Sequence, residues 1–154
     1  MKNGDRAVVF LATGAMIGFV PVAPGTFGTL LGIPIAFGLA QVAVPAAVIL
    51  LLALTAASAW ISGQAERIFG SKDPGRIVID EIVGMAVTLV GLPLNLATVC
   101  AGFIVFRCLD ILKPPPIRWF DSHIKGGWGV VLDDVVAGVM ANMVIRLGRL
   151  FITG

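Results

Sequence analysis

A long uncharged segment in the first half of the chain restricts its fold more than any other feature. No Asp, Glu, Lys or Arg stands between Arg6 and Glu66, a run of 59 residues. A membrane-spanning helix needs about 20 apolar residues, so this run has room for two crossings and a shorter element. It is too long for a signal peptide, whose apolar region is about 7–15 residues. The segment therefore predicts a membrane protein.

Two further segments are poor in charge. Residues 82–106 carry none, but Gly91-Leu92-Pro93-Leu94-Asn95 in their middle favours a turn, so this segment predicts a helical hairpin. The third segment follows Asp134 and has Arg146 and Arg149 near its end, where long side chains can reach the interface. No sustained alternation of apolar and polar residues and no internal repeat is present in the sequence.

Composition is consistent with one apolar domain, residues 1–154. Apolar residues make up 58% of the chain and charged residues 13%, whereas soluble domains are about a quarter charged. The net charge of +2 leaves no basic stripe for nucleic acid. We predict an all-α fold: a small polytopic membrane helical bundle with a short N-terminal re-entrant or interfacial element and polar loops on the cytoplasmic side. Cys100 and Cys108 are predicted to be small core residues and not a disulfide.

Most of the charge lies in two polar islands, residues 62–81 and 107–134. Six of the nine acids fall between positions 80 and 134: Asp80, Glu81, Asp110, Asp121, Asp133 and Asp134. If the hairpin returns the chain to the same membrane face, the two islands form one site at the interface. The positive-inside rule makes this face cytoplasmic, although a single final crossing would leave Arg146 and Arg149 outside.

The acids and bases of the islands suggest a cation site that also binds an anion. Adjacent carboxylates on a helix diverge by about 100°, so at most one each of Asp80-Glu81 and Asp133-Asp134 points straight at a given partner. Several carboxylates in one place repel each other, and Mg²⁺, which prefers oxygen ligands, relieves that repulsion. Arg107, Asp110 and Lys113 stay near one helix face and could meet one ligand, although a helix end whose ions pair together has the same pattern.

Small residues accompany the acids. Gly84 and Gly138 lie four residues after Asp80 and Asp134, so each would let a neighbouring helix approach near a carboxylate. Pro24-Gly25-Thr26-Phe27-Gly28-Thr29 predicts irregular backbone followed by a helix N-terminus, which could present amides and Thr hydroxyls to an anion. A simple turn between helices would explain that sequence equally well.

The chain lacks the residues that several known phosphate chemistries require. It has no Walker A motif, no Cys-x5-Arg loop and no Asp-x-Asp pair, and His123 is its only histidine. A lone histidine in a polar loop is more often incidental than catalytic. One phosphate chemistry is still compatible with the residues present: carboxylates hold a metal ion while Arg and Lys neutralise the phosphate. This combination suits metal-assisted hydrolysis.

Four sequence blocks in order resemble the phosphatidylglycerophosphatase A family of bacterial membrane phosphatases, over nearly the whole chain. The blocks are Pro24-Gly25-Thr26-x-Gly28, Ile77-Val78-Ile79-Asp80-Glu81-x-x-Gly84, Phe106-Arg107-x-x-Asp110-x-x-Lys113-Pro114-x-Pro116-Ile117 and Asp133-Asp134-x-x-Ala137-Gly138. The chain departs from the family at Ile79 and Pro115, where aromatic residues are common.

The resemblance implies Mg²⁺-dependent hydrolysis of phosphatidylglycerophosphate to phosphatidylglycerol and inorganic phosphate. It implies a multi-pass protein of the bacterial cytoplasmic (inner) membrane whose active site faces the cytoplasm and whose partners are the lipid substrate and the bilayer. The sequence specifies no oligomeric state. We hypothesise that Asp80, Glu81, Asp133 and Asp134 hold Mg²⁺ and that Arg107, Lys113 and Thr26 bind the substrate phosphate. Asp80, Glu81, Asp110 and Asp134 are the expected catalytic residues, with Asp110 either joining the metal shell or orienting Arg107.

Three alternatives remain open at this point. A CDP-alcohol phosphatidyltransferase also uses carboxylates at a membrane surface, but only Asp133-Asp134-x-x-Ala137-Gly138 hints at its longer motif. A small membrane cation transporter would carry its acids at mid-span, whereas here they cluster at segment ends. A non-catalytic assembly subunit would release no phosphate from the lipid.

Overall fold

A computed structural model describes residues 3–72 and 74–153, and within them the chain forms seven α-helices and one 3-10 turn. The helices are α1 (Asn3–Ala12), α2 (Pro24–Leu39), α3 (Val44–Phe69), α4 (Ile79–Leu89), α5 (Leu96–Leu112), α6 (Ile117–His123) and α7 (Gly127–Thr153), and the 3-10 turn is Ile17–Phe19. No strand occurs in the described residues. The prediction of an all-α fold is confirmed.

Helices α2, α3, α4, α5 and α7 run alternately between two ends of the molecule. At one end, the turn after α4 approaches the start of α3 and the second half of α7, since Gly91 lies beside Val44 and Arg146. At the other end, Val78 donates a backbone hydrogen bond to Ala12 at 2.9 Å. We call these the far end and the site end. The hairpin predicted over residues 82–106 is present as α4 and α5, so both polar islands lie at the site end.

Short-range signals fix the ends of several helices. Asn95 caps α5 by accepting a hydrogen bond from the Thr98 amide at 2.9 Å. Helix α3 ends at Gly70, whose φ of 67° is the left-handed conformation that glycine adopts most easily. These local signals position the polar islands at the helix termini.

The prediction of irregular backbone over residues 24–29 is wrong. Helix α2 begins at Pro24, and the left-handed residues lie before it, at Ala15, Met16 and Ala23. Proline is well suited to a first helical position because its fixed φ matches the helix and its missing N–H is not needed there. The glycine at 28 serves packing, since a Cβ on it would lie 2.7 Å from the Val78 Cβ.

Helices α4 and α7 pack backbone to backbone. A Cβ on Gly138 would overlap the Gly84 carbonyl oxygen, and a Cβ on Gly84 would lie 2.9 Å from the Asp134 carbonyl oxygen. The same Cβ on Gly84 would also overlap the fully buried ring of Phe106 from α5. The two glycines predicted to admit close packing therefore bring the first turn of α4 against α7.

The apolar surface is concentrated on the long helices. By length and composition, α3 alone among the described helices qualifies to cross a bilayer, and only 28% of its most apolar stretch is buried within the protein. Ile49, Leu52 and Trp60 are among its exposed side chains. Cys100 and Cys108 are free thiols, but both are exposed on α5, so their prediction as core residues is wrong. The buried face of α5 holds Thr98, Gly102 and Phe106, and each cysteine lies two residues from this face, about 200° around the helix.

Two polar side chains of α7 satisfy the C-terminal carbonyls of α4. The Asn142 amide donates to the Thr88 and Val90 carbonyls at 2.8 and 3.0 Å, and Arg146 donates to the Val90 and Gly91 carbonyls at 3.2 Å each. The last carbonyls of a helix have no partner within the helix, so a short helix such as α4 needs outside donors. This contact gives Arg146 a structural reason to lie at the far end.

Replacing Asn142 with Leu is expected to lower the free energy of unfolding by about 1–3 kcal/mol, because the carbonyls of α4 lose their donor. The midpoint of thermal unfolding of detergent-solubilised protein measures the effect. Met143→Leu changes the exposed neighbour on the same helix and is expected to leave the midpoint unchanged. An Asn142→Leu midpoint equal to that of the unsubstituted protein would show that the carbonyls do not depend on Asn142.

Candidate active site

Three carboxylates from two helices meet at the site end. Asp80 and Glu81 lie in the first turn of α4 and Asp134 lies near the start of α7. Each offers an oxygen, and these oxygens all lie within 4.8 Å of one another. Asp80 is 7% exposed and Asp134 is 3% exposed. We call Asp80, Glu81 and Asp134 the acid trio.

The acid trio is held together against electrostatic repulsion. Two carboxylates at this separation repel by about 3 kcal/mol for an effective dielectric constant near 20. The N-terminus of α4 offsets part of this cost, because a helix dipole favours negative charge in its first turn, where Asp80 and Glu81 lie. The remaining excess of negative charge, in a set of oxygen ligands, fits a hard divalent cation such as Mg²⁺.

Arg107 of α5 supplies positive charge at the edge of the trio. Its Nη1 lies 3.9 Å from Glu81 Oε1 and donates a hydrogen bond to Asp110 Oδ2. The carboxyl group of Asp110 also lies near enough to Asp134 to interact with it electrostatically. Of the two roles left open for Asp110, the contact with Arg107 favours orientation of the guanidinium.

The start of α2 closes one side of this site. A Cβ on Gly25 would overlap Glu81 Oε1 and would lie 3.4 Å from Arg107 Nη1. Thr26 follows in the same turn, is half-buried, and has its backbone amide bonded to the Ala23 carbonyl at 3.0 Å. Its role toward phosphate stays a prediction. The absence of a side chain at position 25 leaves room for the Glu81 carboxylate.

Gly25→Ala is expected to reduce phosphatase activity at least about tenfold, because the added methyl group displaces the Glu81 carboxylate and positioning errors of about 1 Å are costly. Gly38→Ala is the matched control, since it lies on the same helix and a Cβ there meets nothing within 4 Å. Steady-state phosphate release by both variants, with circular dichroism to verify folding, measures the difference. Equal activities would show that Glu81 tolerates the methyl group.

Lys113, predicted to bind phosphate, is engaged by two acids. Its Nζ donates to Asp121 Oδ1 at 2.8 Å and to Asp133 Oδ2 at 2.6 Å. Burial acts to lower the pKa of Lys113, but the hydrogen bonds and negative charges of Asp121 and Asp133 outweigh it and raise the pKa. Lys113 is therefore a cation at neutral pH, in a cluster beside the acid trio.

Asp133 is oriented differently from its neighbour. Its carboxylate bonds to Lys113, while Asp134 joins the trio. Adjacent helical residues diverge by about 100°, and within α7 this separates Asp133 from Asp134. The expectation that only one residue of such a pair reaches the site is wrong for Asp80 and Glu81, which both join the trio. The role of Asp133 as a metal ligand stays a prediction.

His123 lies apart from these clusters, at the end of α6. Its ring stacks on Trp119 with centroids 5.0 Å apart, and its Nδ1 lies 3.0 Å from the Trp119 carbonyl oxygen. Two contacts near the site were not predicted from sequence: the bond of Asp121 to Lys113 and the approach of Gly25 to Glu81. Asp121 was assigned to the polar island only because it is charged. No local sequence pattern specifies which basic residue it pairs with.

Comparisons with known proteins point to the same family as the four sequence blocks. The model of the family "Phosphatidylglycerophosphatase A" matches residues 10–149. Phosphatidylglycerophosphatase A of Escherichia coli K12 is 39% identical over 132 residues, 85% of this chain and 77% of the relative. The Haemophilus influenzae protein of the same name is 35% identical over 137 residues, 88% of this chain and 84% of the relative.

A third relative carries a different name. A protein of Bacteroides thetaiotaomicron, provisionally named a phosphatidylinositol-3-phosphatase, is 38% identical over 159 residues, 97% of this chain and 98% of the relative. No solved structure gives a significant match. The extent of the family match, together with the two relatives that share the family's name, settles the classification: this chain belongs to the phosphatidylglycerophosphatase A family.

Proposed function

We propose that this protein hydrolyses phosphatidylglycerophosphate to phosphatidylglycerol and inorganic phosphate and requires Mg²⁺ bound by the acid trio. Family membership supports the reaction and substrate. The single observation that carries the metal requirement is the convergence of Asp80, Glu81 and Asp134. Mg²⁺ bound there would polarise the phosphoryl group and offset its negative charge.

The chain's own residues supply the remaining steps. Arg107 lies where it can pair with phosphoryl oxygens beside Glu81, and Asp110 holds the guanidinium in place. Glu81 is the proposed base, because its Oε2 is buried and has no hydrogen-bond partner among the described residues. It takes a proton from water while the water oxygen bonds to phosphorus. The bond from phosphorus to the glycerol oxygen breaks, that oxygen takes up a proton from water, and Glu81 returns its proton to water.

We further propose that the helices form a multi-pass bundle in the bacterial inner membrane with the site end at the cytoplasm. The exposed apolar side chains of α3 and α7, including Ile49, Leu52 and Phe151, suit contact with lipid. Most bases, including Arg76 and Arg118, lie in the polar islands at the site end, as the positive-inside rule expects. The acyl chains of the substrate then stay in the bilayer while its headgroup reaches the trio.

Single cysteines test this orientation in a Cys100→Ser, Cys108→Ser background. Gln41→Cys marks the far end and Ser71→Cys the site end, and both positions are exposed. In intact cells, a membrane-impermeant maleimide is expected to label Gln41→Cys and to label Ser71→Cys only after permeabilisation. The opposite pattern would place the site outside the cytoplasm.

Phosphate release from defined lipids tests the proposed reaction. Detergent-solubilised protein is incubated with phosphatidylglycerophosphate, phosphatidylinositol 3-phosphate, phosphatidic acid or glycerol 3-phosphate, each with and without Mg²⁺. We expect release from phosphatidylglycerophosphate and its loss when Mg²⁺ is chelated. Preference for phosphatidylinositol 3-phosphate would contradict the proposed substrate, and equal rates in chelator would contradict the metal requirement.

A further inference from the structure

Two hydroxyl groups on α3 are buried without a partner. Ser58 and Ser62 are both 0% exposed, and neither Oγ has a hydrogen-bond partner among the described residues. The hydroxyl of Thr55, on the same helix, donates to the Leu51 carbonyl at 2.8 Å. Leaving a buried hydroxyl unsatisfied costs about 1–3 kcal/mol. Two such groups one helical turn apart therefore indicate a polar partner that the folded chain alone does not supply.

Contacts between α3 and α4 place these serines on the face of α3 that packs against α4. Leu51 packs in one cluster with residues 83, 86 and 87 of α4, and Ala65 packs in another with residue 79. Positions 51, 58, 62 and 65 share one face of a helix, because they are separated by three, four or seven residues. Ser58 and Ser62 lie between the two contacts, so they face the first turn of α4. Asp80 is in that turn.

Helix α7 meets α3 at the same level. A Cβ on Gly63 would lie 3.4 Å from the Gly127 backbone nitrogen, and a Cβ on Gly127 would overlap the Ala59 carbonyl oxygen. Asp134 lies seven residues, about 10 Å, farther along α7 on nearly the same face. Its neighbour Val135 packs against the cluster that contains Leu51 of α3 and Val83 of α4. The serines of α3, Asp80 of α4 and Asp134 of α7 therefore line one seam between three helices.

We propose that Ser58 and Ser62 are positioning residues of the divalent-cation site. Their hydroxyls donate hydrogen bonds to water that in turn bonds the carboxylate oxygens of the acid trio, and this water orients those oxygens toward the cation. Carboxylates only accept hydrogen bonds, so neutral donors beside them stabilise the cluster without competing for the cation. Groups that orient metal ligands in this way typically change metal affinity or activity 10- to 100-fold. This inference rests on the cation binding in the proposed function.

Cation affinity of the alanine variants tests the inference without substrate. Ser58→Ala, Ser62→Ala and the double variant are titrated with Mg²⁺ and Mn²⁺ by calorimetry in detergent. We expect the dissociation constant to rise at least about 10-fold in the double variant. The metal-free melting temperature should stay equal or rise, because an unsatisfied buried hydroxyl is removed. Thr55→Val is the matched control, since its hydroxyl is bonded within α3, and it should bind the cation normally.

The outcomes separate this inference from the proposed function. If the unsubstituted protein binds Mg²⁺ and releases phosphate while the double variant binds Mg²⁺ with unchanged affinity, the serines only fill space and the inference is wrong. An equal loss of affinity in Thr55→Val would also overturn it, because the effect would then come from packing of α3. If the unsubstituted protein hydrolyses the lipid without binding any divalent cation, the metal requirement itself fails.

Discussion

Asp134→Asn is expected to reduce phosphate release from phosphatidylglycerophosphate by more than about 100-fold at any Mg²⁺ concentration. Loss of a group that merely orients a ligand costs 10- to 100-fold, so loss of a ligand should cost more. Asparagine keeps the shape of the side chain and removes one of three mutually repelling charges. The metal-free variant should therefore fold at least as stably as the unsubstituted protein. Steady-state rates over a Mg²⁺ titration, with thermal unfolding in parallel, measure both effects.

Two controls make the Asp134 result specific. Asp5→Asn removes an acid of α1 that is not a member of the trio, and His123→Ala removes the surface histidine that stacks on Trp119. Both variants are expected to keep near-normal rates. A near-normal rate in Asp134→Asn would refute its place in the metal site, and a large loss in His123→Ala would point to a covalent phosphohistidine route.

Arg107→Gln is expected to lower kcat/KM by about 100- to 1,000-fold, the usual effect of removing one donor that stabilises developing negative charge. Arg107 lies between Glu81 and Asp110, so its loss also leaves these carboxylates without their cation. Arg107→Lys should recover only part of the activity, because a lysine cannot reproduce the planar fork of the guanidinium. Initial rates over a range of lipid mole fractions in mixed micelles separate the effects on kcat and KM.

Arg118→Gln is the matched control for Arg107. Arg118 is an exposed base on α6 at the site end, and its loss changes the net charge by the same amount. Its kcat/KM should stay within about twofold of the unsubstituted value, as is usual for surface substitutions away from special features. Equal losses in the two variants would mean that general surface charge, and not a specific contact of Arg107, supports the reaction.

The hairpin could be predicted from sequence because its signals are local. A run of turn-forming residues at 91–95 separates two apolar segments, and Asn95 caps the helix that follows. The polar islands were accordingly expected at one end, and the structure places them there. The local sequence at Pro24 led to a wrong prediction. A Pro-Gly pair favours a break in the helix, but here it begins a helix whose glycines pack on α4.

The partners of the acids could be predicted only in part. The 100° spacing predicts that only one residue of each acid pair reaches the site. Asp80 and Glu81, in the first turn of α4, both belong to the trio, whereas Asp133 and Asp134 diverge within α7. The choice between Asp133 and Asp134 depends on the rotation of α7 against α4, which packing at Gly84 and Gly138 determines. The sequence spacing revealed those glycines but not the rotation they produce.

The role of Arg146 at the far end also could not be predicted from sequence. Arg146 conflicted with the charge rule because its role depends on a contact across 56 positions, with the carbonyl of Val90. Local pattern cannot reveal that a short helix ends beside α7. The structural reason is that the carbonyls of α4 need donors, which Asn142 and Arg146 supply.

Anomalous diffraction from crystals grown with Mn²⁺ locates a divalent cation without reference to activity. If the acid trio binds the cation, one strong peak lies within about 2.3 Å of oxygens from Asp80, Glu81 and Asp134 and is lost in Asp134→Asn crystals. A peak bound elsewhere, with the three carboxylates satisfied by Arg107 or other protein groups, would contradict cation binding by the acid trio.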